Sequence, residues 1–180
     1  MAEKIKSEGH DVILLPLAHK QGMEDDVPDN YTSWLGASLL NDATETSQHL
    51  KDICLVWLVV DHYAINSIWE RKVKEVLDLR ILVIDGLANR KHECDLLLDQ
   101  TYSPKGIDRW KNLVPKECKL MVGPKYALLR TEFIEAQRRL RRRDGKVNRI
   151  FIAFGGVDKL DATSLTLEAL SDLNKKHIHI

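Results

Sequence analysis

Three side chains of complementary chemistry stand in a row at Asp61-His62-Tyr63. An acid, a titratable base and a hydroxyl donor this close together can hydrogen-bond one ligand and exchange protons with it. They close the apolar run Trp57-Leu58-Val59-Val60, which is short, ends on β-branched residues and reads as a buried strand. In open α/β sheets the ligand crevice lies outside the carboxyl ends of the strands, so the three would face it if this strand runs parallel to its neighbours. The structural alternative is that Asp61 caps the next turn while His62 and Tyr63 pack at an interface. Asp85 favours the ligand reading, because the strand Arg80-Ile81-Leu82-Val83-Ile84 ends on a carboxylate at the same edge.

A second candidate is Gly155-Gly156-Val157-Asp158, placed between an expected strand and an expected helix. Backbone N–H groups and a helix N-terminus can receive phosphate oxygens there, making Gly155, Gly156 and Asp158 candidate phosphate-binding residues. A tight structural turn explains a glycine pair equally well. The stretch has no Gly-Lys-Ser/Thr of a Walker loop and no full dinucleotide fingerprint. His92 and Cys94 stand two apart, but no second pair sits at ligand spacing, so a polar loop is expected and no metal. His177 and His179 are read as incidental. The run Arg138-Arg139-Leu140-Arg141-Arg142-Arg143 suits the C-terminal end of a helix, where cations meet the negative end of the dipole.

The elements that must position these residues follow from the pattern of apolar runs. Met1 to Ser7 reads as a helix stopped at Gly9, and Asp11 to Leu17 as a strand. A polar loop from Ala18 to Asn30 precedes Trp34-Leu35-Gly36 and a helix to about Lys51. A strand from Ile53 to Val60 follows, and Ile65, Ile68, Trp69, Val73, Val76 and Leu77 repeat at helical spacing. Further strands are expected at Arg80 to Ile84, at Cys94 to Asp99 and at Lys119 to Gly123. A helix from Tyr126 to about Arg143 then leads to a strand at Arg149 to Phe154, a helix from about Thr163, and a last strand from Lys176. Strands alternating with helices in this way predict a Rossmann-like α/β fold with a parallel sheet and flanking helices. The expected domains are 1–145 and the opening β-α-β portion of a second one at 146–180.

Composition narrows the class. Apolar residues at 44% and charged residues at 30% of 180 are ordinary globular values, so disorder and fibres are excluded. Lys and Arg together equal Asp and Glu at 27 each, which gives no global case for nucleic acid. No run of eighteen apolar residues appears, so no membrane span is expected. Three cysteines and an N-terminus without an apolar core point to a reducing, cytoplasmic setting.

Five segments in this order resemble one family: Trp57 to Tyr63, Val83 to Asp99, Leu113 to Pro115, Gly123 to Phe133 and Phe154 to Asp158, with Trp34-Leu35-Gly36 also similar. The family is that of the UDP-sugar hydrolases of pseudaminic acid biosynthesis and the related spore coat polysaccharide biosynthesis proteins. The resemblance implies a GT-B-type pair of Rossmann-like domains and hydrolysis of a UDP-linked diacetamido trideoxy sugar to UDP and free sugar, without a metal or cofactor. It makes Asp61, His62, Tyr63 and Asp85 substrate-binding and the turn at Gly155, Gly156 and Asp158 phosphate-facing.

The family's catalytic histidine lies in a Gly-x-Gly-His loop after the first strand, and no residue here matches it; His10 follows a helix instead. The expectation is therefore a chain truncated at both ends, without its first strand, inactive alone, and homo-oligomeric through exposed sheet edges. The alternatives are a UDP-sugar-dependent glycosyltransferase of spore coat or envelope polysaccharide, and a non-catalytic nucleotide-sugar binding module.

Overall fold

A computed structural model describes residues 2–15, 31, 34–140, 145–155, 158, 160–171 and 178–179. Within it the chain forms two compact units, Met1–Leu128 and Leu129–Ile180. The expected loop 18–30, Arg141 to Arg143, Gly156, Val157 and His177 lie outside the described residues.

The first unit is α/β. It opens on helix α1 (Ala2–Ser7), which stops where Gly9 takes φ +88°, a left-handed conformation that glycine adopts without Cβ strain. Helix α2 (Leu39–Leu50) is started by Ser38, whose hydroxyl accepts from the Asn41 N–H at 3.3 Å. Strand β1 (Trp57–Val60) follows, then helix α3 (Ser67–Lys74) and strand β2 (Arg80–Ile84). Strand β3 (Leu96–Asp99), a 3-10 helix (Gly106–Trp110) and strand β4 (Lys119–Val122) complete the layer. All three strand pairs are parallel and the spatial order is β1-β2-β3-β4, the order of the chain. This is a Rossmann-like α/β arrangement.

That order decides which face carries the core. Parallel crossovers are right-handed, so successive connections moving in one direction across a sheet all pass over the same face. Register places Val60 beside Val83 and Val83 beside Leu97, and on this face they join Trp69 and Val73 of α3, Ile81, and Trp110 in one core. The other face carries Val59, Leu82 and Leu96, which stand outside that core; Val59 is 56% exposed. Among the described residues β1 is an edge strand, so one side of its backbone has no partner in the sheet.

Several expected elements are shorter than the apolar pattern suggests. Asn66 caps α3 with its Oδ1 on the Ile68 N–H at 2.9 Å, so the helix starts at Ser67 and not Ile65. A 3-10 helix at Pro124–Tyr126 follows Gly123, and helix α4 begins only at Thr131 and ends at Arg138. The segment Asp11 to Leu15 is not a strand, and Ile13 and Leu14 are exposed. Strand geometry persists only where a neighbour takes its backbone groups, and among the described residues the sheet ends at β1.

The second unit holds α4 and helix α5 (Ala162–Ser171). The strand expected at Arg149 to Phe154 reduces to one parallel bridge, Arg149 with His179, made by the Ile150 N–H on the His179 carbonyl at 2.9 Å and the His179 N–H on the Asn148 carbonyl at 3.0 Å. With no further ladder, Phe151 stays 92% exposed. No helix among the described residues is long and apolar enough to cross a membrane.

Trp110 anchors the β3–β4 connection: it is fully buried, and its indole N–H donates to Asp99 Oδ2 at 2.9 Å. Trp110→Phe keeps most of the apolar volume but leaves a buried acceptor short of a donor, which should cost about 1–3 kcal/mol. Urea unfolding reads this directly, and an unchanged midpoint would refute the anchoring role.

Candidate functional site

Asp61, His62 and Tyr63 leave the carboxyl end of β1 together, where parallel sheets bind ligands. Asp61 is exposed, His62 half-buried and Tyr63 38% exposed. The Ala64 N–H donates to His62 Nδ1 at 3.1 Å. A neutral ring that accepts at Nδ1 carries its proton on Nε2, so this turn selects the tautomer with Nε2–H as donor. The Tyr63 ring packs on Tyr31 with centroids 5.3 Å apart, and Tyr31 meets Trp34 edge to face at 4.9 Å.

The loop carrying these residues is fastened from beneath. Ala64, Ile65 and Asn66 are buried, and Arg90 from the β2–β3 connection donates through Nε to the Ile65 carbonyl at 2.7 Å and through Nη2 to the His62 carbonyl at 3.5 Å. The Ser67 N–H donates to the Lys91 carbonyl at 2.8 Å. Two loops that end neighbouring strands are thus tied into one piece.

Asp85 is at the expected strand end but turned inward, with 2% of its surface exposed. Its Oδ1 accepts from the Leu87 N–H at 2.5 Å, and its Oδ2 pairs with Arg90 in a short contact. His92 Nε2 stands 3.4 Å from the same oxygen, within ion-pair distance. On its other side His92 Nδ1 lies 2.6 Å from Glu70 Oε1, and Glu70 Oε2 takes the Glu93 N–H. Two carboxylates therefore alternate with an imidazole and a guanidinium in the interior.

Burial works against the charge on Asp85, yet His92, the Leu87 N–H and Arg90 together hold its carboxyl below the ordinary 3.8. Burial also works against a charged His92, but Asp85 and Glu70 outweigh it and hold the imidazole above 6.5. Asp99, at the end of β3, repeats the theme. It is fully buried, accepts from Trp110 and from both the N–H and hydroxyl of Thr101, and lies 3.4 Å from Arg109. Arg109 in turn donates to the Gly86 and Leu87 carbonyls at 2.8 and 2.9 Å, and a Cβ on Gly86 would meet Thr101 Cγ2 at 2.7 Å.

The sequence pattern did not disclose Glu70, Arg90 or His92 as a network. Glu70 follows Trp69 on a helix whose inner face is otherwise apolar, and a carboxylate there needs a buried partner. That was the available signal. Cys94 sits beside His92 with its Sγ 3.6 Å from Cys118, two thiols in contact and unbonded.

In the second unit Gly155 takes φ +77°, and Asp158 closes the first turn of α5. The Asp158 carboxylate accepts from the Ala162 N–H at 2.9 Å, the Thr163 N–H at 2.8 Å and the Thr163 hydroxyl at 2.6 Å. The Thr163 contacts, with the Ala162 N–H, hold Asp158 below the usual carboxylate range. Among the described residues no group of three or more His, Cys, Asp or Glu is placed to hold a metal ion.

No family model matches the chain. It is similar to a UDP-2,4-diacetamido-2,4,6-trideoxy-beta-L-altropyranose hydrolase of Campylobacter jejuni subsp. jejuni, with 34% identity over 121 residues. The aligned part is 67% of this chain and 41% of that protein, so the match spans about two fifths of the relative's length.

The buried charges make stability depend on pH at both ends. His92, raised above 6.5, contributes fully below that value and loses its contribution as pH rises through its folded value; Asp85, lowered from 3.8, contributes fully above that value and loses it as pH falls. Wild-type stability should therefore decline on the alkaline side of 6.5. His92→Gln should lower stability by about 3–5 kcal/mol by leaving two buried carboxylates facing one cation, and should flatten that alkaline decline. Urea unfolding from pH 5 to 9 tests both, and an identical slope in the variant would remove His92 as its source.

Proposed function

We propose that the chain is a nucleotide-sugar hydrolase component that handles a UDP-linked diacetamido trideoxy sugar at the carboxyl end of its parallel sheet. The observation that carries this reading is the exposed Asp61-His62-Tyr63 edge, held by Arg90 on the side away from solvent, in a chain similar to an enzyme that hydrolyses such a substrate. In this reading His62 and Tyr63 line the sugar side, with Nε2–H of His62 as a donor. Asp61 orients polar groups of the ligand, and Asp85 acts through Arg90 to hold the loop. Within the second unit Asp158 steadies the start of α5.

The reaction is attack of water on the anomeric carbon, with the glycosyl–oxygen bond breaking and UDP leaving. A positioned general base is worth about 10²–10⁴-fold in such a step. The 180 residues contain no Gly-x-Gly-His segment, so no residue of this chain is assigned that role. UDP release by this chain should therefore run about 10²–10⁴-fold below that of the full-length Campylobacter enzyme. A comparable rate would place the base within these residues. Free sugar as product would separate hydrolysis from the alternative, transfer to an acceptor by a glycosyltransferase of envelope or spore coat polysaccharide.

The setting proposed is cytoplasmic, with a second copy of the chain as partner. Among the described residues β1 leaves backbone groups unpaired beside exposed Val56, Trp57 and Val59, and such an edge accepts another strand. Size-exclusion chromatography with light scattering should report a dimer or larger species; a stable monomer at tens of micromolar would overturn the edge-pairing proposal.

A further inference from the structure

Three aromatic rings cluster at the ligand end of the sheet without belonging to the core. Tyr31 lies between the other two, 4.9 Å from Trp34 and 5.3 Å from Tyr63. Trp34 is 62% exposed and Tyr63 38% exposed, and none of the three is part of the buried cluster formed by Trp69, Trp110 and their aliphatic neighbours. Packing in the interior therefore does not account for them. Tyr63 adjoins the half-buried His62 imidazole, whose Nδ1 is taken by the Ala64 N–H and whose Nε2–H is left as donor, and the exposed Asp61, so a ring and hydrogen-bonding groups stand side by side.

That mixture suits a carbohydrate ring. A pyranose offers C–H groups on its faces, which settle on aromatic π-surfaces, and polar substituents at its rim, which need planar donors and acceptors. We infer that Tyr31, Trp34 and Tyr63 form a stacking platform for the sugar of the bound nucleotide, with His62 and Asp61 gripping its polar rim. This inference rests on the nucleotide-sugar reading above and specifies its sugar end. A diacetamido trideoxy sugar carries a methyl at C6 and a methyl on each acetyl group, and has lost the hydroxyls at positions 2, 4 and 6. It is unusually apolar for a sugar. Three grouped rings contribute most with such a ligand and least with a fully hydroxylated hexose. Trp34 and Tyr31 thus become specificity-determining residues, supplied by the segment ahead of α2 to the loop after β1.

Saturation-transfer NMR on the whole chain tests this without requiring turnover, using UDP and the UDP-linked diacetamido trideoxy sugar as probes. In the wild type the strongest saturation should fall on the C6 and acetyl methyl protons. Trp34→Ala and Tyr31→Ala should weaken binding of the sugar nucleotide about tenfold, the size of one well-placed ring contact, and should leave UDP binding unchanged. Trp34→Phe should retain most of the methyl signal, which separates stacking from any effect on folding. Equal loss of UDP and sugar-nucleotide binding, or no loss of either, would overturn the platform. Saturated uridine protons with silent sugar methyls would overturn it while leaving the nucleotide reading intact. Silence from both probes in the wild type would overturn the nucleotide reading and this inference with it.

Discussion

Charges buried in a protein interior must be matched by opposite charges and by hydrogen bonds, because the surrounding dielectric gives them no other relief. Glu70, His92, Asp85 and Arg90 meet this demand by setting an imidazole and a guanidinium against two carboxylates, and they come from three parts of the first unit. Glu70 belongs to α3, Asp85 to the end of β2, and Arg90 and His92 to the connection that leads to β3. Once they are in place, the guanidinium has donors left over, and these fall on the His62 and Ile65 carbonyls. The candidate site is therefore set by an arrangement of charged and polar groups in the interior, where Glu70, Asp85 and His92 are buried.

A division of labour follows at the carboxyl edge of the sheet. β1 ends on exposed polar and aromatic groups, whereas β2 and β3 end on carboxylates that turn inward. Asp85 and Asp99 each hold an arginine that reaches back to loop carbonyls, Arg90 in one case and Arg109 in the other. Two loops are made stiff by the same device, and the loop after β1 is held by its neighbour's. A stiff edge keeps donors and rings in fixed relation, which is what recognition of a small ligand requires.

Much of this was legible in the residues. The four strands, their parallel sense and the exposed Asp61-His62-Tyr63 edge follow from short apolar runs that alternate with helical spacing. The direction in which Asp85 faces does not follow, because a strand-end acid looks the same in sequence whether its partner is a ligand or an arginine five residues on. Glu70 was hidden for a related reason: its partner His92 is 22 residues away and meets it only after the sheet forms. Where local pattern lacked a tertiary partner, as at Asp11 to Leu15 and Ile150 to Phe154, strand-like composition produced no strand. Tyr31 and Trp34 escaped notice as a pair with Tyr63 because nothing in spacing brings residue 31 to residue 63.

The sequential order of the strands bears on how the sheet comes into being. Paired residues are separated in the chain by only 14 to 23 positions, as in Leu82 with Leu96 and Trp57 with Arg80. Parallel sheets are slow to assemble when a strand must wait for a distant mate, since a long loop has to close before any contact rewards it. Here every strand after the first is laid against the one synthesised just before it. The sheet can grow by accretion from β1 to β4 as the polypeptide emerges, and the last strand to dock is also the one at the far margin, so no later insertion into the middle is required of these four.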